Sequence, residues 1–269
     1  MTVSQSVIER IMKEKGEGEL LGLFFDFDGT ISEIVDSPEE ARILPGARKF
    51  LETLAESDDV VAGVISGREI EDLKEKVGVS GIVFSGNHGA QLEIFGESYT
   101  LANDEELSSL NHLAMELAAK ATAFPGMIVE DKKFSVSVHT RLTDDWLLDD
   151  LTRLVTITTK KHRNLKIREG KRVLEVLLES SADKGQVLGF ILEKIEETFS
   201  TTVFPVYFGD DVTDNYVYEY MRVRDRGISI FVQGRDPLHL DADFELNGPL
   251  EVVILMEDLI GSGKCGRQR

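Results

Sequence analysis

The chain has 269 residues, 42% of them hydrophobic, enough for one large domain or for a core carrying a smaller insert. Thirty Lys and Arg against 49 Asp and Glu leave a net charge of −19, a field that repels nucleic acid and anionic membrane and excludes both as main partners. The single cysteine, Cys265, sits in a polar tail and leaves no disulfide framework or Cys-based metal cluster.

Residues 1 to about 18 are polar and charged, with Val7, Ile8, Ile11 and Met12 spaced for a turn or two of peripheral helix or a frayed arm. No basic segment followed by an apolar run opens the chain. No stretch reaches the roughly 18 apolar residues that span a bilayer, so a soluble, cytoplasmic protein is expected. Leu20 to Phe25, Val60 to Ile65, Val203 to Phe208 and Ile228 to Val232 are short and almost wholly apolar, the pattern of strands buried on both faces of a parallel sheet. Helical patterns lie between them: Ala47 to Glu56 after Pro45-Gly46, Arg68 to Val77 before Gly78, and Asp183 to Phe199. This alternation predicts a doubly wound α/β core.

The middle differs. Asp104 to about Phe124 reads as a helix, then Met127 to Glu130 and Phe134 to Thr140 as strands. Thr143 to about His162 reads as a second helix, followed by Leu165 to Arg168 and Val173 to Leu178, two strands flanking the turn Glu169-Gly170-Lys171. A helix–strand–strand unit repeated twice makes a small sheet with helices on one face. The expected organisation is therefore a discontinuous core, 1–102 and 180–269, with 1–18 peripheral and 261–269 a tail. Residues 103–179 form an inserted α/β domain.

Asp26 and Asp28 follow the first strand and precede Gly29-Thr30. Ligands of open parallel sheets bind at the carboxyl ends of strands. Two carboxylates beside a glycine suit metal-assisted phosphoryl transfer, although a DxD alone is equally a solvated, capped turn. Ser66 ends the second strand where a helix is expected to begin, so it is either a phosphate-holding hydroxyl or an ordinary N-cap. Lys184 lies in a first helical turn, against the helix dipole, a placement explained by an anion. Asp210, Asp211 and Asp214 crowd three carboxylates into five positions, which is costly unless a cation binds.

In this order the motifs resemble those of the haloacid-dehalogenase-like phosphatases: Asp26-Phe27-Asp28-Gly29-Thr30, Ser66, Lys184 and Asp210 to Asp214. The resemblance implies a Rossmann-like core with an inserted α/β cap, and Asp26 as nucleophile. It implies Asp28 as acid and then base, Ser66 and Lys184 on the phosphate, and Mg²⁺ as cofactor. The metal would be held by Asp26, the Asp28 carbonyl and Asp210, with Asp211 or Asp214 binding through water or orienting Lys184.

Further segments resemble the trehalose-6-phosphate phosphatase family: Val64-Ile65-Ser66-Gly67-Arg68, Gly86-Asn87-His88-Gly89-Ala90, Glu130-Asp131-Lys132, Val138-His139-Thr140-Arg141 and Gly170-Lys171-Arg172-Val173-Leu174-Glu175. That family implies a small-molecule sugar phosphate as partner; a monomer is compatible with the sequence, which does not itself fix the oligomeric state. Gly67, Arg68, His88, Glu130, Lys132, His139, Arg141 and Glu175 become substrate-binding residues. Glu130, Lys132 and Glu175 can also pair across a solvated sheet, His88 can be structural, and His139 and Arg141 can simply support the cap.

Val176-Leu177-Leu178 after Glu175, and Asn215 after Asp214, depart from the family pattern and leave other sugar phosphates open, such as sucrose 6-phosphate or mannosyl-3-phosphoglycerate. A phosphomutase and a silent sugar-phosphate sensor are the remaining alternatives. Gly261-Ser262-Gly263-Lys264 lacks the spacing of a phosphate loop and reads as tail. Trp146 is expected to pack in the core or the cap rather than to serve as a stacking platform.

Overall fold

A computed structural model describes residues 2–35, 37–170, 172–179, 182–234 and 238–263. Cys265, Lys171 and Lys264 lie outside the described residues. In chain order the elements are α1 (Val3–Glu14), β1 (Leu20–Phe25), α2 (Pro45–Ala55), β2 (Val60–Ile65), α3 (Ile70–Val77), β3 (Val83–Gly86), β4 (Gln91–Ile94), β5 (Glu97–Thr100), α4 (Asp104–Lys120), β6 (Ile128–Asp131), β7 (Ser135–His139), α5 (Leu148–Thr159), β8 (Leu165–Gly170), β9 (Val173–Leu178), α6 (Lys184–Phe199), β10 (Val203–Gly209), α7 (Asn215–Val223), β11 (Ile228–Val232), β12 (Phe244–Leu246) and α8 (Pro249–Gly261). They divide into two compact units, residues 1–99 with 182–269, and residues 100–181.

The first unit is built on a sheet ordered β12-β11-β10-β1-β2-β3-β4-β5, parallel from β12 to β3 and turning antiparallel at β4. Every residue of β1, β2, β10 and β11 is buried, as their almost wholly apolar runs predict. Alternate residues serve opposite layers. Leu21, Leu23 and Phe25 join the core that α1, α2, α3 and α8 cover. Tyr207 faces the other way, its ring 6.2 Å from that of Tyr218 on α7. Layers on both faces make the sheet doubly wound, as expected.

The N-terminal helix is no frayed arm. Thr2 and Gln5 form a reciprocal capping box, and Val7 and Ile11 are fully buried in the main core. The third helix also starts later than its pattern predicts, at Ile70, with Glu69 as N-cap. The Arg68 carbonyl, which would otherwise begin the helical ladder, accepts the Asn87 N–H at 2.6 Å. Ser66 is therefore not an N-cap.

The second unit is an antiparallel sheet ordered β6-β7-β9-β8. Leu110, Leu113, Ala114 and Leu117 recur at helical spacing along α4 and join Leu151 and Val155 of α5 against Val136, Val138, Leu174 and Val176 of the strands. Two helices thus cover one sheet face. Trp146, expected to pack, is instead 74% exposed, because it stands on a short 3₁₀ turn before α5.

Candidate active site

Four sequence segments meet at the carboxyl ends of β1, β2 and β10 and the start of α6. The Asp26 N–H extends the β1–β10 ladder to the Phe208 carbonyl at 2.9 Å, which holds the Asp26 side chain over the sheet edge, 6% exposed. The chain then turns: Ile31 and Ser32 N–H groups return to the Phe27 carbonyl. Gly29 sits in the left-handed region at φ +79°, and a Cβ there would lie 2.0 Å from Asp210 Oδ2. Glycine at 29 therefore brings the two acidic motifs together.

Lys184 is the first residue of α6, and Asp183 caps the helix by accepting the Gln186 N–H at 2.8 Å. Its Nζ lies 3.1 Å from Asp26 Oδ1 and 2.7 Å from Asp214 Oδ1. Asp214 has both oxygens committed. Oδ1 also accepts the Tyr207 hydroxyl at 2.7 Å, and Oδ2 accepts the Asp211 N–H at 3.0 Å. Asp211 turns its side chain to Thr213, accepting the N–H and the hydroxyl.

Oxygens of Asp26, Asp210 and Asp214 all lie within 4.8 Å of one another. Asp210 Oδ1 is buried and has no hydrogen-bond partner among the described residues. A buried carboxylate oxygen left without a donor, beside two further carboxylates, fits a divalent cation.

The electrostatics point the same way. Burial pushes the Asp26 carboxyl well above the usual carboxylate range; Lys184 opposes this, while Asp214 and Asp210 add to it. Burial, with repulsion from Asp214 and Asp211, raises Asp210 to about 7. Burial also acts against charge on Lys184, yet Asp214, Asp26 and Asp211 outweigh it and hold the ammonium above the ordinary lysine range. One cation thus serves three crowded carboxylates, and the cluster carries surplus negative charge.

Ser66 is 3% exposed, and its Oγ accepts the Arg68 N–H at 3.3 Å. The His88 ring lies against Gly67, where a Cβ would come 2.3 Å from His88 Cε1. Asn87 and His88 both have positive φ, so the 86–90 segment forms a tight turn beside the second motif. Arg68 grips Asp28 with Nε and Nη2, each 2.7 Å from a carboxylate oxygen.

A trehalose-phosphatase family model matches residues 24–241. The chain belongs to the trehalose-phosphatase family. Probable trehalose-phosphate phosphatase H of Arabidopsis thaliana is 32% identical over 257 residues, covering 91% of this chain and 73% of that protein. The C-terminal domain of C. albicans trehalose-6-phosphate phosphatase superposes with a TM-score of 0.73 at 21% identity, covering 96% of each chain. A haloacid dehalogenase-like hydrolase from Bacteroides thetaiotaomicron superposes at 0.62 with 14% identity, over 90% of this chain and 100% of that one. The fold is that of the haloacid-dehalogenase-like hydrolases, and the protein is a phosphatase. Among the described residues no helix is long and apolar enough to cross a membrane.

On the second unit of this trehalose-phosphatase family member, Glu130, Ser137, Glu175 and Arg168 stand in register across the four strands. His139 Nε2 lies 2.8 Å from Glu130 Oε2, Lys132 Nζ 3.7 Å from the same oxygen, and Arg168 Nη2 2.6 Å from Glu175 Oε2. Arg141 is exposed. Asn215 opens α7 and donates to Glu219 at 2.9 Å. Tyr207 escaped the sequence reading: within an apolar strand it looks like core, and only the buried Asp214 beneath its hydroxyl shows otherwise.

Proposed function

We propose that the chain hydrolyses trehalose 6-phosphate to trehalose and phosphate, with Mg²⁺ and through a phospho-aspartate at Asp26. The observation that carries this reading is the cluster of Asp26, Lys184, Asp214 and the donor-less Asp210 oxygen. Asp26, the Asp28 main-chain carbonyl and Asp210 would hold the cation, since both Asp214 oxygens are already taken and Asp211 caps its own turn. Few protein oxygens and a phosphate ligand favour Mg²⁺ over Ca²⁺. Bound there, the ion supplies Lewis-acid stabilisation of negative phosphoryl oxygens.

The side chains do the rest. Asp26 attacks phosphorus while the bridging oxygen leaves, taking the proton of Asp28. Asp28, now a carboxylate, removes a proton from the water that hydrolyses the aspartyl phosphate. Lys184, anchored by Asp214, opposes the effect of burial on Asp26 in favour of its ionised form and offsets phosphate charge. Ser66 donates to a phosphate oxygen. Local positive charge of this kind is what a chain of net charge −19 needs to accept an anionic substrate.

Glu130, Lys132, His139, Arg141 and Glu175 are the proposed contacts to sugar hydroxyls, with His88 and Gly67 shaping the second motif. Phosphate release measured with trehalose 6-phosphate, sucrose 6-phosphate, mannosyl-3-phosphoglycerate and glucose 6-phosphate tests the substrate. Trehalose 6-phosphate is expected to give the highest kcat/KM. Equal rates with glucose 6-phosphate would remove the specific assignment.

A further inference from the structure

Arg68 was expected to bind substrate, and its surroundings give it another task. Its Nε and Nη2 close on both oxygens of Asp28 at 2.7 Å, the fork geometry that fixes a carboxylate in direction as well as position. The guanidinium is itself tied down. Nη1 reaches Asp72 Oδ2 at 3.0 Å, the Phe27 ring lies beneath at 5.3 Å, and the side chain is only 11% exposed. Its main chain is pinned too, the carbonyl accepting the Asn87 N–H and the N–H meeting Ser66 Oγ. Asp28, by contrast, stands on a turn with 41% of its side chain exposed.

An arginine tethered on every side thus holds a carboxylate on a partly exposed turn. We propose that Arg68 is a positioning residue for Asp28, fixing the direction in which that carboxyl meets the leaving oxygen and then the water, rather than a ligand for the phosphate. This rests on the reading of Asp28 as proton donor and acceptor. Orientation of a reacting group is a large part of catalytic effect, and a lysine, with one point charge on a flexible stem, cannot reproduce a two-point fork.

The test separates leaving groups. A sugar alkoxide needs a proton to depart, whereas p-nitrophenolate does not. First-turnover release from trehalose 6-phosphate and from p-nitrophenyl phosphate is followed by rapid quench in Arg68→Gln and Arg68→Lys, with Mg²⁺ present. Sugar release is expected to fall roughly 10- to 100-fold in both variants, the size of a displaced general acid. The nitrophenolate burst is expected to stay within about twofold, as are KM and inhibition by inorganic phosphate, because that step uses no proton donor.

Equal loss on both substrates, or weakened phosphate inhibition, would make Arg68 a phosphate ligand and overturn the proposal. Asp28→Asn is the reference. If it shows no leaving-group dependence, the reading of Asp28 itself fails. If it does and the Arg68 variants do not, only the positioning role fails. Should circular dichroism show either Arg68 variant unfolded, Asp72→Asn removes one tether while keeping the fork. It is expected to give the same leaving-group signature at smaller size, and its absence counts against the proposal.

Discussion

Both units carry networks of charge, and the two networks differ in kind. At the end of the parallel sheet, Asp26, Asp210 and Asp214 crowd one lysine that is only 14% exposed, and one Asp210 oxygen has no donor among the described residues. In the antiparallel unit each pair has a partner open to water: Glu130 meets His139 and Lys132, Glu175 meets the half-exposed Arg168, and Glu116 meets Lys120 and Lys161. Charges that water can replace contribute little to stability, typically under about 1 kcal/mol per pair. Charges that water cannot reach are costly when one partner is removed, about 3–5 kcal/mol. The first network is therefore poised for a ligand, and the second can exchange its partners for hydroxyl groups without unfolding anything.

The strongest way to break this contrast is at the buried pair. Asp26→Asn should abolish turnover while circular dichroism shows the fold intact, since Lys184 keeps Asp214 as its partner. Phosphate release at near wild-type rate would remove Asp26 as nucleophile. A smaller effect is expected from protons at Asp210. Its folded pKa of about 7 exceeds the ordinary aspartate value of 3.8, so the folded metal-free protein binds the proton more tightly than the unfolded chain. Its contribution becomes destabilising as pH rises from about 4 to 7 and stays so above 7. Asp210→Asn should raise the metal-free Tm at pH 8, and wild-type affinity for Mg²⁺ should fall as pH drops below 7. Calorimetry in both directions checks it. A variant with unchanged Tm would show no surplus charge at the site.

The smallest effect belongs to the exposed network. Hydrogen bonds from Lys120 and Lys161 hold Glu116 at about 2, below its ordinary value. A depressed carboxylate contributes stability that is present above about 4.5 and is lost as pH falls towards 2. Glu116→Gln should therefore lower Tm by no more than a degree or two at pH 7 and not at all near pH 2. A loss comparable to that of a buried pair would erase the distinction between the units.

Much of the scaffold was legible because β1, β2 and β11 are buried on both faces and so are almost wholly apolar, which fixes their bounds in the chain. β4 and β12 were not seen: one alternates buried and half-buried residues, and the other is three residues long. Lys184 and Asp210 stood out through charge placed against local physics. Asp28 and Arg68 were each singled out, but their fork was not, because it joins residues forty positions apart and nothing local in the sequence pairs them. The start of α3 was misplaced for the same reason, since a carbonyl spent on Asn87 leaves no mark on local sequence.

The turn at Gly29 also bears on how this enzyme can vary. The space a methyl group would need is filled by Asp210 Oδ2, 2.0 Å from where the carbon would go. A library randomised at this one codon and selected for phosphatase activity should return glycine almost alone, while neighbouring exposed codons drift. The tolerance of the loop to mutation is set by a carboxylate that lies 181 residues downstream.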